Sequence, residues 1–151
     1  MPSTRTLSVA AILLLLTAIV VILVSGVVRK SRLDAEARDL AVEITQAVFT
    51  AGADQLIANA HSLMLADQSP RQLSGYIDFA NRQLGALQRI ESIAGDTRVS
   101  LLPMGGPPAT AAYVLHLQFL ESAADLEIGM QQEQSQWRIT QFMIQAEVMF
   151  Q

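Results

Sequence analysis

"QWRITQFMIQ", residues 136–145, changes phase halfway along. Trp137 and Ile139 are apolar at odd positions, as a strand with one face on a core requires. Phe142 and Ile144 then carry the pattern at even positions. A β-bulge produces this slip, because one extra residue restores the original facing while bending and twisting the strand. The bulge is expected near Thr140 and Gln141.

Two further alternating stretches precede it. In "AAYVLHLQFLE", Tyr113, Leu115, Leu117 and Phe119 oppose Val114, His116, Gln118 and Leu120. In "ADLEIGMQ", Ala124, Leu126, Ile128 and Met130 oppose Asp125, Glu127, Gly129 and Gln131. Short polar links, "ESA" and "QEQSQ", join the three into an antiparallel meander with one apolar face. Upstream, "MGGPPAT" reads as a loop.

Before that loop the spacing is helical. Leu33, Ala37, Leu40, Ile44, Ala47 and Val48 share one face, with Gly52 as a stop or kink. Leu56, Ala60, Leu63 and Met64 repeat the pattern. Ser69, Pro70 and Gln72 form a capping-box start. The helix they open is expected to carry Leu73, Ile77, Ala80, Leu84, Leu87 and Ala94 on one stripe, with Tyr76 and Ile90 beside it, and to end at Gly95. Helices thus fill residues 31–94, and the fold class is α+β: two to three helices packed on a curved meander.

Residues 7–28, "LSVAAILLLLTAIVVILVSGVV", carry no charge, and 15 of the 22 are Leu, Ile or Val. As a helix they span about 33 Å, enough for a hydrocarbon core of about 30 Å. At roughly −0.3 to −0.6 kcal/mol each, those side chains favour insertion by about 4 to 9 kcal/mol. A core helix would show a polar stripe. A cleaved signal peptide, cut near Val24-Ser25-Gly26, is the rival; the apolar run exceeds an ordinary signal core and favours a retained anchor. The expected organisation is a flank at 1–6, a lipid-embedded span at 7–28, a charged segment at 29–38 and a domain at 39–151.

Arg29, Lys30, Arg32 and Arg38 follow the span, and the positive-inside rule alone would place them in the cytoplasm. The span also resembles an uncleaved export signal. From residue 39 onward there are 12 acids against five arginines. That balance repels phosphate backbones, so no nucleic-acid partner is expected. The chain has no cysteine, which removes thiol chemistry and disulfides.

Leu84-Gly85, Phe119, Trp137-Arg138-Ile139 and Phe142-Met143-Ile144 resemble features of the nuclear transport factor 2-like superfamily, over roughly residues 33–147. The nearest likeness is to bacterial envelope-associated members without an assigned activity. The resemblance implies a cone-shaped α+β domain, exported and held at the bacterial inner membrane. A more distant architectural likeness is to the membrane-anchored scaffold subunit of type IV secretion systems.

Chemistry is sparse. His116 and Glu127, with Gln118 and Asp125, fall on the polar parity of neighbouring strands, where solvent is the expected surrounding. Tyr113 lies on the apolar parity. It could serve as a pocket hydroxyl, as in isomerases of the superfamily, but no acid of the meander shares its face. His61 has no partner at metal-ligand spacing, so no metal is expected. No nucleophile elbow, phosphate loop or dinucleotide fingerprint is present, so no cofactor and no catalytic set are expected. Arg138 is expected in solvent or paired with an acid such as Glu127, and Trp137 in the core.

Tyr113, Phe119, Met130, Trp137, Met143, Met149 and Phe150 are the candidate partner- or ligand-binding residues. The methionines and Phe150 would supply a soft apolar surface. The expected function is a non-catalytic, membrane-anchored binding or scaffold protein, with a protein partner or a second copy of itself. A module holding a small apolar molecule inside the cone is the alternative, and an isomerase- or dehydratase-like enzyme the third reading.

Overall fold

A computed structural model of the protein describes residues 4–100 and 105–146. One helix, α1 (Thr4–Ala51), runs unbroken for 48 residues, about 72 Å at ~1.5 Å per residue. Its two halves have different surroundings. From Val9 to Val28 the large apolar side chains stand exposed, whereas Leu33, Ala37, Ala41, Ile44 and Val48 are buried. The first half is long and apolar enough to cross a membrane. The second supplies the spine of the core.

Gly52 ends α1 at φ +98°, a conformation that side-chain-bearing residues avoid. Two short helices follow, α2 (Asp54–Ala58) and α3 (Ser62–Asp67), separated where His61 caps α3. Leu56, Ala60 and Met64 are buried as their spacing requires, but Leu63 points to solvent. Helix α4 (Pro70–Leu84) opens with the expected capping box between Ser69 and Gln72, and buries Leu73, Ile77, Ala80 and Leu84.

The helix expected to run to Gly95 stops short. Gly85 terminates the helix, and β1 (Leu87–Arg98) occupies the residues expected to continue it. Leu87, Ile90 and Ala94 therefore lie on a strand, and Gly95 sits inside that strand. Pairing with β2 (Thr110–Phe119) explains the error. Leu87 faces Phe119 and Arg89 faces Gln118; Ile90 faces Leu117 and Ser92 faces His116. Gln88 and Glu91 are each an extra residue. Two bulges so close together set Leu87, Ile90 and Ile93 three apart, a spacing that imitates a helix.

Strands β3 (Ala123–Glu133) and β4 (Gln136–Gln145) complete a four-stranded antiparallel sheet in the order β1-β2-β3-β4. The bulge in β4 is where the phase change places it. Gly129 faces Gln141 and Met130 faces Ile139, leaving Thr140 unpaired. Trp137 and Ile139 before it, and Phe142 and Ile144 after it, are all buried. The inner face of the sheet closes over α1, where Phe49 meets Phe119 edge-on at 4.9 Å between ring centroids.

Candidate functional site

Tyr113 projects from the middle of β2 and is 1% exposed. Its hydroxyl donates to the Asp34 carboxylate at 2.7 Å, and lies 3.1 Å from both the Asp34 carbonyl oxygen and Thr97 Oγ1. Thr97, fully buried on β1, donates to the same carboxylate at 3.0 Å. The Arg38 guanidinium stands 5.6 Å above the tyrosine ring. An acid therefore does reach the phenol, from α1 rather than from the meander. Asp34 escapes a sequence reading because one carboxylate on a helix, 79 residues from its partner, has no motif. Its place beside Leu33 and one turn before Arg38 is the available hint.

The electrostatics follow from this enclosure. Burial, above all, pushes the Tyr113 hydroxyl up to about 12, with the adjacent Asp34 charge adding to it. The hydrogen bond from Tyr113 holds the Asp34 carboxyl below its usual range, aided by Thr97, Arg38 and Lys30. A phenol whose folded pKa is raised stabilises the fold fully below the unfolded value near 10, and that stability is lost as pH rises through the folded value. An ultraviolet titration is expected to show a phenolate appearing near pH 12, with stability falling between about pH 10 and 12. Tyr113→Phe should abolish both features. Ionisation of every tyrosine near pH 10 would contradict this placement.

The interior positions named from sequence are occupied by packing. Phe119 and Met130 are each 1% exposed, and Trp137 is 8% exposed. The indole N–H of Trp137 is buried with no acceptor among the described residues. Met143 differs: it points outward from β4 and is 40% exposed. Met149 and Phe150 lie outside the described residues.

Met143 borders a groove of about 610 Å³ between the free edge of β4 and helices α3 and α4. Other contacts close that edge on both sides of the groove. The Ile139 N–H donates to the Asn59 carbonyl at 2.8 Å, and the His61 N–H donates to the Ile139 carbonyl at 2.7 Å. Further along, the Ile144 N–H donates to the Tyr76 hydroxyl at 2.8 Å. Outward-pointing peptide groups recur every second residue on an antiparallel edge. Phe142 thus turns its N–H and C=O away from β3 into the groove, and no described residue pairs with them. Met64 and Tyr76 give the groove apolar walls, and Asp67, Gln68 and Gln72 give it a polar rim.

The outer face of the sheet is polar, as alternation requires. The side chains of His116 and Asp125, directly opposed on β2 and β3, are hydrogen-bonded to each other on the exposed face. Such exposed pairs contribute little. Glu127 accepts from Gln145 at 2.9 Å, and Arg138 does not reach it. Arg138 donates instead to the Ala58 carbonyl and to Gln136, each at 2.9 Å, because β4 is the edge strand next to α2. His61 is 6% exposed; its Nδ1 accepts the Leu63 N–H at 3.1 Å. Among the described residues, no three His, Asp or Glu side chains converge as metal ligands would. No protein-family model, curated protein or solved structure matches this chain.

Proposed function

We propose that this chain is a membrane-anchored docking protein, an accessory or scaffold subunit of a bacterial envelope complex. The observation that carries this reading is the continuity of α1. The same helix bears an uncovered apolar half and, without a break, the buried spine of the domain. A flexible tether would let a domain diffuse around its anchor. An unbroken helix fixes its height and tilt, as a part that positions others requires.

In this reading the domain is a cone of the nuclear transport factor 2-like class, outside the cytoplasm, and the lipid bilayer holds residues 7–28. The groove along β4 is the docking surface. An extended segment of a partner protein would pair with the open peptide groups of Phe142 and lay side chains against Met64, Tyr76 and Met143. The saturation of the Tyr113 hydroxyl by Asp34 and Thr97 supports a structural role for that cluster over acid–base chemistry. The dense packing of Phe119 and Trp137 favours the edge groove over the interior as a place for any ligand.

A photo-crosslinking amino acid at position 143, in native membranes, tests this reading. The expected result is one discrete adduct, to a second protein or a second copy of the chain. The same probe at Leu120, exposed at 66% on a different part of the surface, should give none. No adduct at position 143, or the same adducts at both positions, would overturn the docking surface.

A further inference from the structure

Where α1 leaves the folded part, it and the β3–β4 hairpin enclose a groove of about 790 Å³. Its character changes along α1. Val20, Val24 and Val28 line one end, Arg29, Arg32 and Glu36 the other, and Gln132 and Ser135 of the hairpin share the groove with them. The cations at this level are used differently. Lys30 meets Asp96 of β1 at 3.8 Å, and Arg32 is held by Glu36 at 2.9 Å. Arg29 has no ion-pair partner among the described residues.

A molecule that fits must be apolar at one end and anionic at the other, with hydrogen-bonding groups near the charge. We propose that this groove binds one anionic phospholipid: an acyl chain along the valines, the phosphate at the unpaired Arg29, and the headgroup hydroxyls at Gln132 and Ser135. The proposal rests on reading residues 7–28 as a span, and the dimensions agree with it. Val20 to Arg32 is about 18 Å along a helix, and half a hydrocarbon core is about 15 Å, so the valines reach acyl depth while the arginines stand at the headgroups. A bare helix has lipid on all sides without preference; the hairpin supplies the second wall that makes a site. The domain from residue 39 onward is net acidic, with 12 acids against five arginines, so attraction to anionic lipid is concentrated at this collar.

Native mass spectrometry of the full-length protein, released from nanodiscs containing equal phosphatidylglycerol and phosphatidylcholine, tests this. One retained lipid is expected, with phosphatidylglycerol favoured about fivefold, since one basic side chain near a membrane surface contributes roughly that much. Arg29→Gln should bring the ratio near one. Val24→Trp, which fills the apolar end and leaves the charge intact, should remove the adduct. Equal retention of the two lipids, or retention unchanged by Val24→Trp, would overturn the site. Displacement of the lipid by millimolar inorganic phosphate would reassign it as a simple anion site and overturn the lipid assignment. Carbonate extraction of the same membranes separates the two readings. An extracted protein overturns the span and this site together, whereas a resistant protein without lipid preference overturns this site alone.

Discussion

Gly95→Ala is expected to remove a large share of the stability of the folded part. Gly95 faces Tyr113 across the β1–β2 ladder and holds φ at +139°. A methyl group there would stand 2.0 Å from the Ala112 carbonyl oxygen and 2.8 Å from the Tyr113 Cα. Both obstacles are backbone, so no rotamer change relieves them, and only separation of the strands would. Overpacking costs about 1–3 kcal/mol and the strained dihedral a similar amount, together a large share of the roughly 5–15 kcal/mol that holds a domain. Separation would also loosen the Tyr113–Asp34–Thr97 contacts that tie the sheet to α1. Gly75 supplies the contrast. It lies exposed inside α4 with nothing within 4 Å of a new Cβ, so Gly75→Ala should stabilise by about 0.5–1 kcal/mol. Denaturation midpoints of the full chain in one detergent should move in opposite directions. A neutral Gly95→Ala would mean that β1 does not lie where it is described.

These two glycines bear on what a sequence reveals. Gly95 resembles a helix stop only because the residues before it imitate a helix. β1 carries bulges at Gln88 and Glu91 with too few residues between them for alternation to return. β4 carries one bulge, at Thr140, flanked by Trp137 and Ile139 on one side and Phe142 and Ile144 on the other. The same irregularity is therefore legible when single and hidden when doubled. The capping box at Ser69 was readable because all its partners lie within four residues. Asp34 under Tyr113 was not, because that contact exists only once α1 has packed on the sheet. The groove at Phe142 was half legible: Met143 was named for the soft apolar surface that methionine offers, but an unpaired peptide edge has no signature in side chains.

The second large effect concerns α1. Arginine at both Leu15 and Ile19, near the middle of the apolar half, is expected to expel it from the bilayer. Each central charge costs about 2.5–3.5 kcal/mol on the insertion scale, and the two lost side chains remove about another 1 kcal/mol. The total, roughly 6–8 kcal/mol, matches the 4 to 9 kcal/mol that the leucines, isoleucines and valines of residues 7–28 provide. The variant should be extracted by alkaline carbonate while the parent resists. Glu36→Arg and Glu43→Arg, at exposed positions on the packed half, should leave extraction unchanged. A double arginine variant that still resists carbonate would mean that another part of the chain holds it to the membrane.

The proposed function requires one helix to be both a lipid-embedded anchor and the spine of a folded domain, without a joint between them. Because the chain has no cysteine, single cysteines placed along α1 can be probed in intact membranes with a hydrophilic maleimide. Protection is expected on every side from Val9 to Val27. Beyond Arg29 a one-sided pattern should take over, with Leu33, Ala37, Ala41, Ile44 and Val48 protected and Arg32, Glu36, Asp39 and Glu43 labelled. Uniform labelling from Val9 to Val27, or uniform labelling from Arg29 to Asp39, would contradict it: the first removes the bilayer from α1, the second places a flexible joint where the helix is continuous.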